Sequence, residues 1–168
     1  MNIIADSLTL TRGVLVIFIL IIGISHDVKS LPTIAVLMIF CWITDVLDGK
    51  FSRQSHKPTY LGRFDLVADL GLSISLAICL VLWEFIPVIP ALIVLAIAAL
   101  SSIYFQFSAP RKLAMGLVYG LFTLSVWQRE PPWVWVILGG GILLIFINPE
   151  GSKRQVREFI GEVRKFFK

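Results

Sequence analysis

The chain has 168 residues, 57% of them hydrophobic and 15% charged, with a formal net charge of +4. Its apolar residues fall in long runs, without the alternation of a half-buried strand or the one-in-three spacing of a soluble amphipathic helix, which excludes an ordinary water-soluble fold. A hydrocarbon core about 30 Å thick takes roughly 20 apolar residues per helix, so this length holds five or six spans and leaves no room for a second soluble domain.

Six apolar segments follow in chain order, 8–25, 31–46, 61–83, 85–107, 113–127 and 133–148, separated by short stretches carrying charge, Pro or Gly. The expected fold class is all-α: a polytopic membrane protein with six transmembrane helices over residues 1–148 and a basic tail over 149–168. The first segment is long, has no small-residue cleavage site and precedes further spans, so it reads as a retained helix and not a signal peptide. Cys41 and Cys79 lie inside apolar runs, where a thiol acts as a small buried hydrophobe without redox chemistry. Gly116 and Gly120 in the fifth segment form a small-xxx-small spacing that lets helices approach closely.

Six spans put both termini, the loop 50–60 and the turn around Pro110 on one side. Thirteen Lys and Arg residues then lie on that side, with only Lys29 and Arg129 opposite, which makes that side cytoplasmic. Trp83, Trp127, Trp133 and Trp135 border the opposite loops, as interfacial anchors do. In the tail, Val156, Phe159, Ile160, Val163 and Phe167 recur at helical spacing among Arg157, Arg164, Lys165 and Lys168. That is the pattern of an amphipathic interfacial helix on an anionic leaflet, with a solvated positive-inside tail as the alternative. The expected location is the cell membrane, and no nucleic-acid partner is expected.

Asp45 and Asp48 close the second segment, and Asp65 and Asp69 open the third. At about 100° per residue the members of each pair lie about 60° and about 40° apart, so each pair shares a face and two acidic faces meet across one loop. An aspartate at mid-bilayer costs about 2.5 to 3.5 kcal/mol, so all four must turn inward or toward water. Carboxylates held this close repel unless a cation neutralises them, and Lys50, Arg53 and Arg63 number three against four. Oxygen donors, with no cysteine near and His56 the single imidazole of the loop, suit Mg2+ or Mn2+ and not zinc. A purely structural ion-pair network is the competing reading. Gly49 lets a ligand approach the backbone, and Arg53 four residues on offers a forked donor to phosphate. Metal and arginine beside a membrane surface point to a diphosphate substrate, whose departing charge both would offset.

The run Asp45-Val-Leu-Asp48-Gly49-Lys-Phe-Ser52-Arg53, then after eight residues Gly62-Arg-Phe-Asp65-Leu-Val-Ala-Asp69, resembles the signature of the CDP-alcohol phosphatidyltransferase family, D-x2-D-G-x2-A-R-x8-G-x3-D-x3-D. Ser52 stands in place of the usual Ala, and two residues instead of three separate Gly62 from Asp65, which leaves the part played by Gly62 open. Leu8-Thr9-Leu10-Thr11-Arg12 is similar to the start of the first helix in the phosphatidylglycerophosphate synthase branch. The resemblance implies a six-helix homodimer in which Asp45, Asp48 and Asp65 bind two divalent ions, Mg2+ or Mn2+, that hold the CDP diphosphate. It implies that Asp69 is the general base and touches a metal as well, and that Gly49 and Arg53, with Gly62, contact the CDP moiety of CDP-diacylglycerol.

By the same resemblance an acceptor alcohol attacks the lipid phosphorus and CMP leaves. Lys57, Arg63, Arg111 and Lys112 lie on the same side, where they suit an anionic acceptor, although the positive-inside rule alone would place basic residues there. Pro110-Arg111-Lys112 is similar to a basic element of phosphatidylglycerophosphate synthases, which favours glycerol 3-phosphate over inositol phosphate, inositol or serine. Two readings outside enzymology compete. Intramembrane carboxylates also mark ion paths in transporters, but here the acids gather at one end of the spans. A family member without activity, kept as an assembly partner, would fit the shifted Gly62.

Overall fold

An apolar stretch that must satisfy its own backbone hydrogen bonds does so as helix, and helix is what these runs form. The structure, a computed structural model, describes residues 2–54, 62–104 and 109–166. In chain order it contains α1 (Asn2–His26), a 3-10 turn (Asp27–Ser30), α2 (Leu31–Gln54), α3 (Gly62–Leu82), α4 (Val88–Tyr104), α5 (Ala109–Arg129), α6 (Pro131–Ile147) and α7 (Pro149–Phe166). No strand occurs among the described residues, so the all-α expectation holds, and each of the six apolar segments corresponds to one of α1 to α6.

The polar end of α2 differs from the reading of 50–60 as loop, because the helix runs on to Gln54 and carries Gly49 and Arg53 in its last turns. By length and composition, the Asp6–Lys50 stretch that comprises α1, the turn and α2 is long and apolar enough to cross a membrane. Taken together, Pro131–Ile147 and Pro149–Gly161 form a second candidate, bent by 97° at the break, while Val67–Leu82 and Val88–Ile97 are apolar but shorter.

The chain reverses through specific local chemistry. At the end of α3, Glu84 sits at φ 60, its N–H donates to Val81 O at 3.0 Å, and the Phe85 N–H donates to Leu80 O at 2.9 Å. This is a Schellman ending, with Pro87 just beyond to prevent continuation. Asn148 caps α7, its Oδ1 accepting from the Gly151 N–H at 3.0 Å, with Pro149 in the first helical position, where its missing donor does no harm.

Helix α1 packs against both α2 and α3, and α5 packs against α3, α4 and α6. Ile19, Ile34, Met38, Leu76, Leu80 and Phe122 are fully buried between them. Two glycines set the closest approaches between different helices: a Cβ on Gly23 would collide with Cys79 Sγ, and one on Gly140 would lie 3.0 Å from Ile39 Cγ1. Both cysteines are buried and free, in keeping with their reading as small hydrophobes.

Gly116 and Gly120 play no such part within the chain, since a Cβ on either meets nothing within 4 Å among the described residues. Trp83 also departs from expectation: instead of lying at an exposed interface it is buried, with Nε1 donating to Gly23 O at 3.1 Å. The outside of the bundle is apolar, with Phe146 79%, Ile89 72% and Trp135 68% exposed.

Candidate active site

Thr9 and Arg12, three residues apart on α1, share a helix face. Arg12 is an unusual residue to find enclosed among apolar helices, its side chain only 1% exposed. The reason is its company. Arg12 NH1 donates to Asp45 Oδ1 at 2.6 Å and to Asp69 Oδ1 at 2.7 Å, and NH2 stands 3.6 Å from Asp48 Oδ2. Thr9 Oγ1 donates to that same Asp48 oxygen at 2.8 Å.

One nitrogen of α1 thus joins the C-terminal part of α2 to the start of α3, holding Asp45 and Asp69 within two hydrogen-bond lengths of each other. Asp48 is buried, while the Asp45 and Asp69 side chains are 37% and 36% exposed, so the cluster opens toward solvent on their side.

A second layer supports Asp69. Ser73, one turn later on α3, places Oγ 3.3 Å from the Asp69 carbonyl oxygen and 3.3 Å from the Tyr119 hydroxyl of α5. The Tyr119 ring meets Trp42 of α2 edge to face, with centroids 5.5 Å apart. Tyr119 therefore ties α2, α3 and α5 together just inside the acidic cluster.

Of the residues expected in a site, the structure brings Asp45, Asp48 and Asp69 around the Arg12 guanidinium. Asp65 lies one turn before Asp69 on α3, but its side chain is outside the described residues, as are those of Arg53, Arg63 and Arg111; Lys57 is outside them altogether. Gly49 is half-buried on α2, Gly62 opens α3, and Lys112 is half-buried near the start of α5. Arg12 and Thr9 join the cluster without having been expected there. The signal that could have found them is a charged residue within an apolar span, which marks function or pairing; the positive-inside pattern offers a sufficient account of Arg12 and hides that signal.

Among the described residues, no group of three or more His, Cys, Asp or Glu is close enough to form a ready-made metal site. In donor chemistry the cluster nevertheless fits a hard divalent ion. It offers carboxylate oxygens from two helices, the donors such an ion prefers.

Fold and site together define an all-helical protein with an apolar exterior and an acidic cluster gathered at one end of three helices. The profile of the CDP-alcohol phosphatidyltransferase family matches residues 2–147, from α1 to the end of α6, and the chain belongs to that family. No curated protein and no solved structure matches it. Membership makes the protein a phosphotransferase, of a family that is membrane-associated and generally dependent on divalent metals.

Proposed function

We propose that this protein transfers a phosphatidyl group from CDP-diacylglycerol to a small polar alcohol, with glycerol 3-phosphate the preferred acceptor, and releases CMP. The observation that carries this reading is the convergence of Asp45, Asp48 and Asp69 at one end of the bundle, with two of the three open to solvent.

In this reading Asp45, Asp48, Asp65 and Asp69 hold two divalent ions, Mg2+ or Mn2+. Bound there, they would offset the charge of the diphosphate and of the departing CMP. Asp69 takes the proton of the acceptor hydroxyl as its oxygen bonds to the lipid phosphorus; the bond from that phosphorus to the CMP oxygen breaks, and CMP leaves with the electron pair. Gly49, Arg53 and Gly62 contact the CDP moiety, and Lys57, Arg63, Arg111 and Lys112 serve an anionic acceptor.

An apolar groove of about 480 Å³ between α1 and α3 supports a lipid donor. It is lined by Leu10, Val14, Ile17, Phe64 and Val67, and reaches Thr9 and Ala68 beside the cluster. The exposed apolar exterior supports six transmembrane helices in the cell membrane, and the distribution of basic residues supports a cytoplasmic site and termini. Exposed Val156 and Ile160 beside Lys153 and Arg157 support α7 as an interfacial helix. A homodimer completes the reading, by family resemblance.

Purified protein with Mg2+, CDP-diacylglycerol and a panel of glycerol 3-phosphate, inositol phosphate, inositol and serine tests it. CMP should appear with one acceptor, and Asp69→Asn should lower the rate by about 10²–10⁴-fold, the usual contribution of a positioned base, without unfolding the protein. If no acceptor yields CMP, or the Asn variant matches the wild type, the assignment is wrong. The ion pairs of Arg12 favour one rival, a purely structural hub. A hub predicts that Asp69→Asn lowers the melting temperature of a protein that releases no CMP.

A further inference from the structure

A guanidinium in the middle of an acidic cluster invites a simple explanation, that it competes with a metal ion for the same carboxylates. On that view its removal lifts a positive charge from the site and tightens the binding of any other cation. The geometry supports a different role. Arg12 reaches Asp45 Oδ1 and Asp69 Oδ1, and both Thr9 and Arg12 reach Asp48 Oδ2. An ionised carboxylate has two oxygens and about four lone-pair sites, so it can accept from arginine and ligate a cation at the same time.

We propose that Arg12, assisted by Thr9, is a positioning residue that fixes the orientation and spacing of Asp45, Asp48 and Asp69 so that they take up a divalent cation together. This rests on the reading of the cluster as a divalent-cation site.

Two observations support it. Arg12 is enclosed, so its fork is held in place and is not a mobile surface charge. Its NH1 is shared between α2 and α3, and therefore sets the distance between carboxylates that the chain places 24 residues apart. Partners that orient metal-binding side chains typically contribute about 10–100-fold in metal affinity, and a planar guanidinium can reach two carboxylates in a fixed geometry that an ammonium cannot reproduce.

The test is Mn2+ binding to the full-length, metal-free protein in detergent, read from the free-ion signal in electron paramagnetic resonance. Wild type is compared with Arg12→Met, Arg12→Lys and Thr9→Val. The expected result is a dissociation constant about 10–100-fold higher for Arg12→Met, a smaller weakening for Arg12→Lys, which keeps the charge but loses the fork, and the smallest for Thr9→Val. Binding by folded Arg12→Met as tight as wild type, or tighter, overturns the proposal. Should Arg12→Met fail to fold, unchanged affinity in both Arg12→Lys and Thr9→Val overturns it, and weakening in either supports it. A wild type that binds no Mn2+ refutes the reading of the site itself, whereas a wild type that binds with Arg12 variants that bind equally well refutes only the role of Arg12.

Discussion

The same three helices meet in opposite ways at their two ends. At one end α1 touches α2 and α3 through charge, by way of Arg12 and three aspartates, two of them more than a third exposed. Eleven residues along α1, about 16 Å at the helical rise, Gly23 lies against Cys79, and the buried Trp83 donates to the Gly23 carbonyl. Charged side chains bridge the helices at the first end, and two of the acids stay open to solvent. The missing side chain at the second lets backbones approach until nothing more fits. The difference assigns the two ends different work: the apolar end fixes the angle and register of the helices, and the polar end inherits that geometry with freedom to admit a ligand.

If that division is right, changes at the apolar end should cost stability and leave cation binding alone. Trp83→Ala removes a buried indole and its hydrogen bond, and is expected to destabilise by about 3–5 kcal/mol. It should lower the melting temperature in detergent strongly, while the protein still folded at low temperature binds Mn2+ with wild-type affinity. A parallel loss of affinity would show that the two ends are not separable.

Gly23→Ala is the next largest. The new methyl meets Cys79 Sγ, and overpacking of this kind costs about 1–3 kcal/mol. Adding Cys79→Ala should return much of that loss, because the clash is with a single sulfur. A double variant no more stable than Gly23→Ala would mean that the close approach is not what the glycine serves.

Much of this architecture is legible in the amino-acid sequence. Long apolar runs identify α1 to α6 because hydropathy reports which segments avoid water. It says less about where a helix stops: α2 outlasts its apolar run and continues through Asp45, Asp48, Gly49 and Arg53, since extending a helix costs far less than starting one and tolerates even poor formers such as Asp and Gly. The aspartates can be found because two sit close together on each of two helices. Arg12 cannot be placed with them from spacing, because its partners lie 33 and 57 residues away and only packing brings them together.

The glycines teach the same point from the other side. Gly116 and Gly120 have the spacing of a helix contact and face outward, while Gly23 and Gly140 have no such spacing and make close approaches to neighbouring helices. A small residue permits contact, but the faces of neighbouring helices decide where contact occurs. Trp83 follows the same logic: its place near a loop suggests an anchor, yet its ring turns inward to a backbone carbonyl exposed by the absence of a side chain at Gly23.

The smallest expected effect has the opposite sign. Glu84 holds φ 60 at the end of α3 and Asp27 holds φ 57 after α1, a region that costs an L-residue roughly 1–2 kcal/mol and glycine almost nothing. Glycine gives part of this back through the freedom it adds to the unfolded chain, about 0.5–1 kcal/mol, so Glu84→Gly should stabilise by up to about 1 kcal/mol. Asp27→Gly should gain less, because aspartate tolerates this conformation better than glutamate does. Thermal melts of both variants in one detergent measure the order. Both positions lie at the apolar end, so a rise in melting temperature with unchanged Mn2+ affinity supports the division, and a change in affinity would mean that the α3 ending communicates along the helix to Asp69.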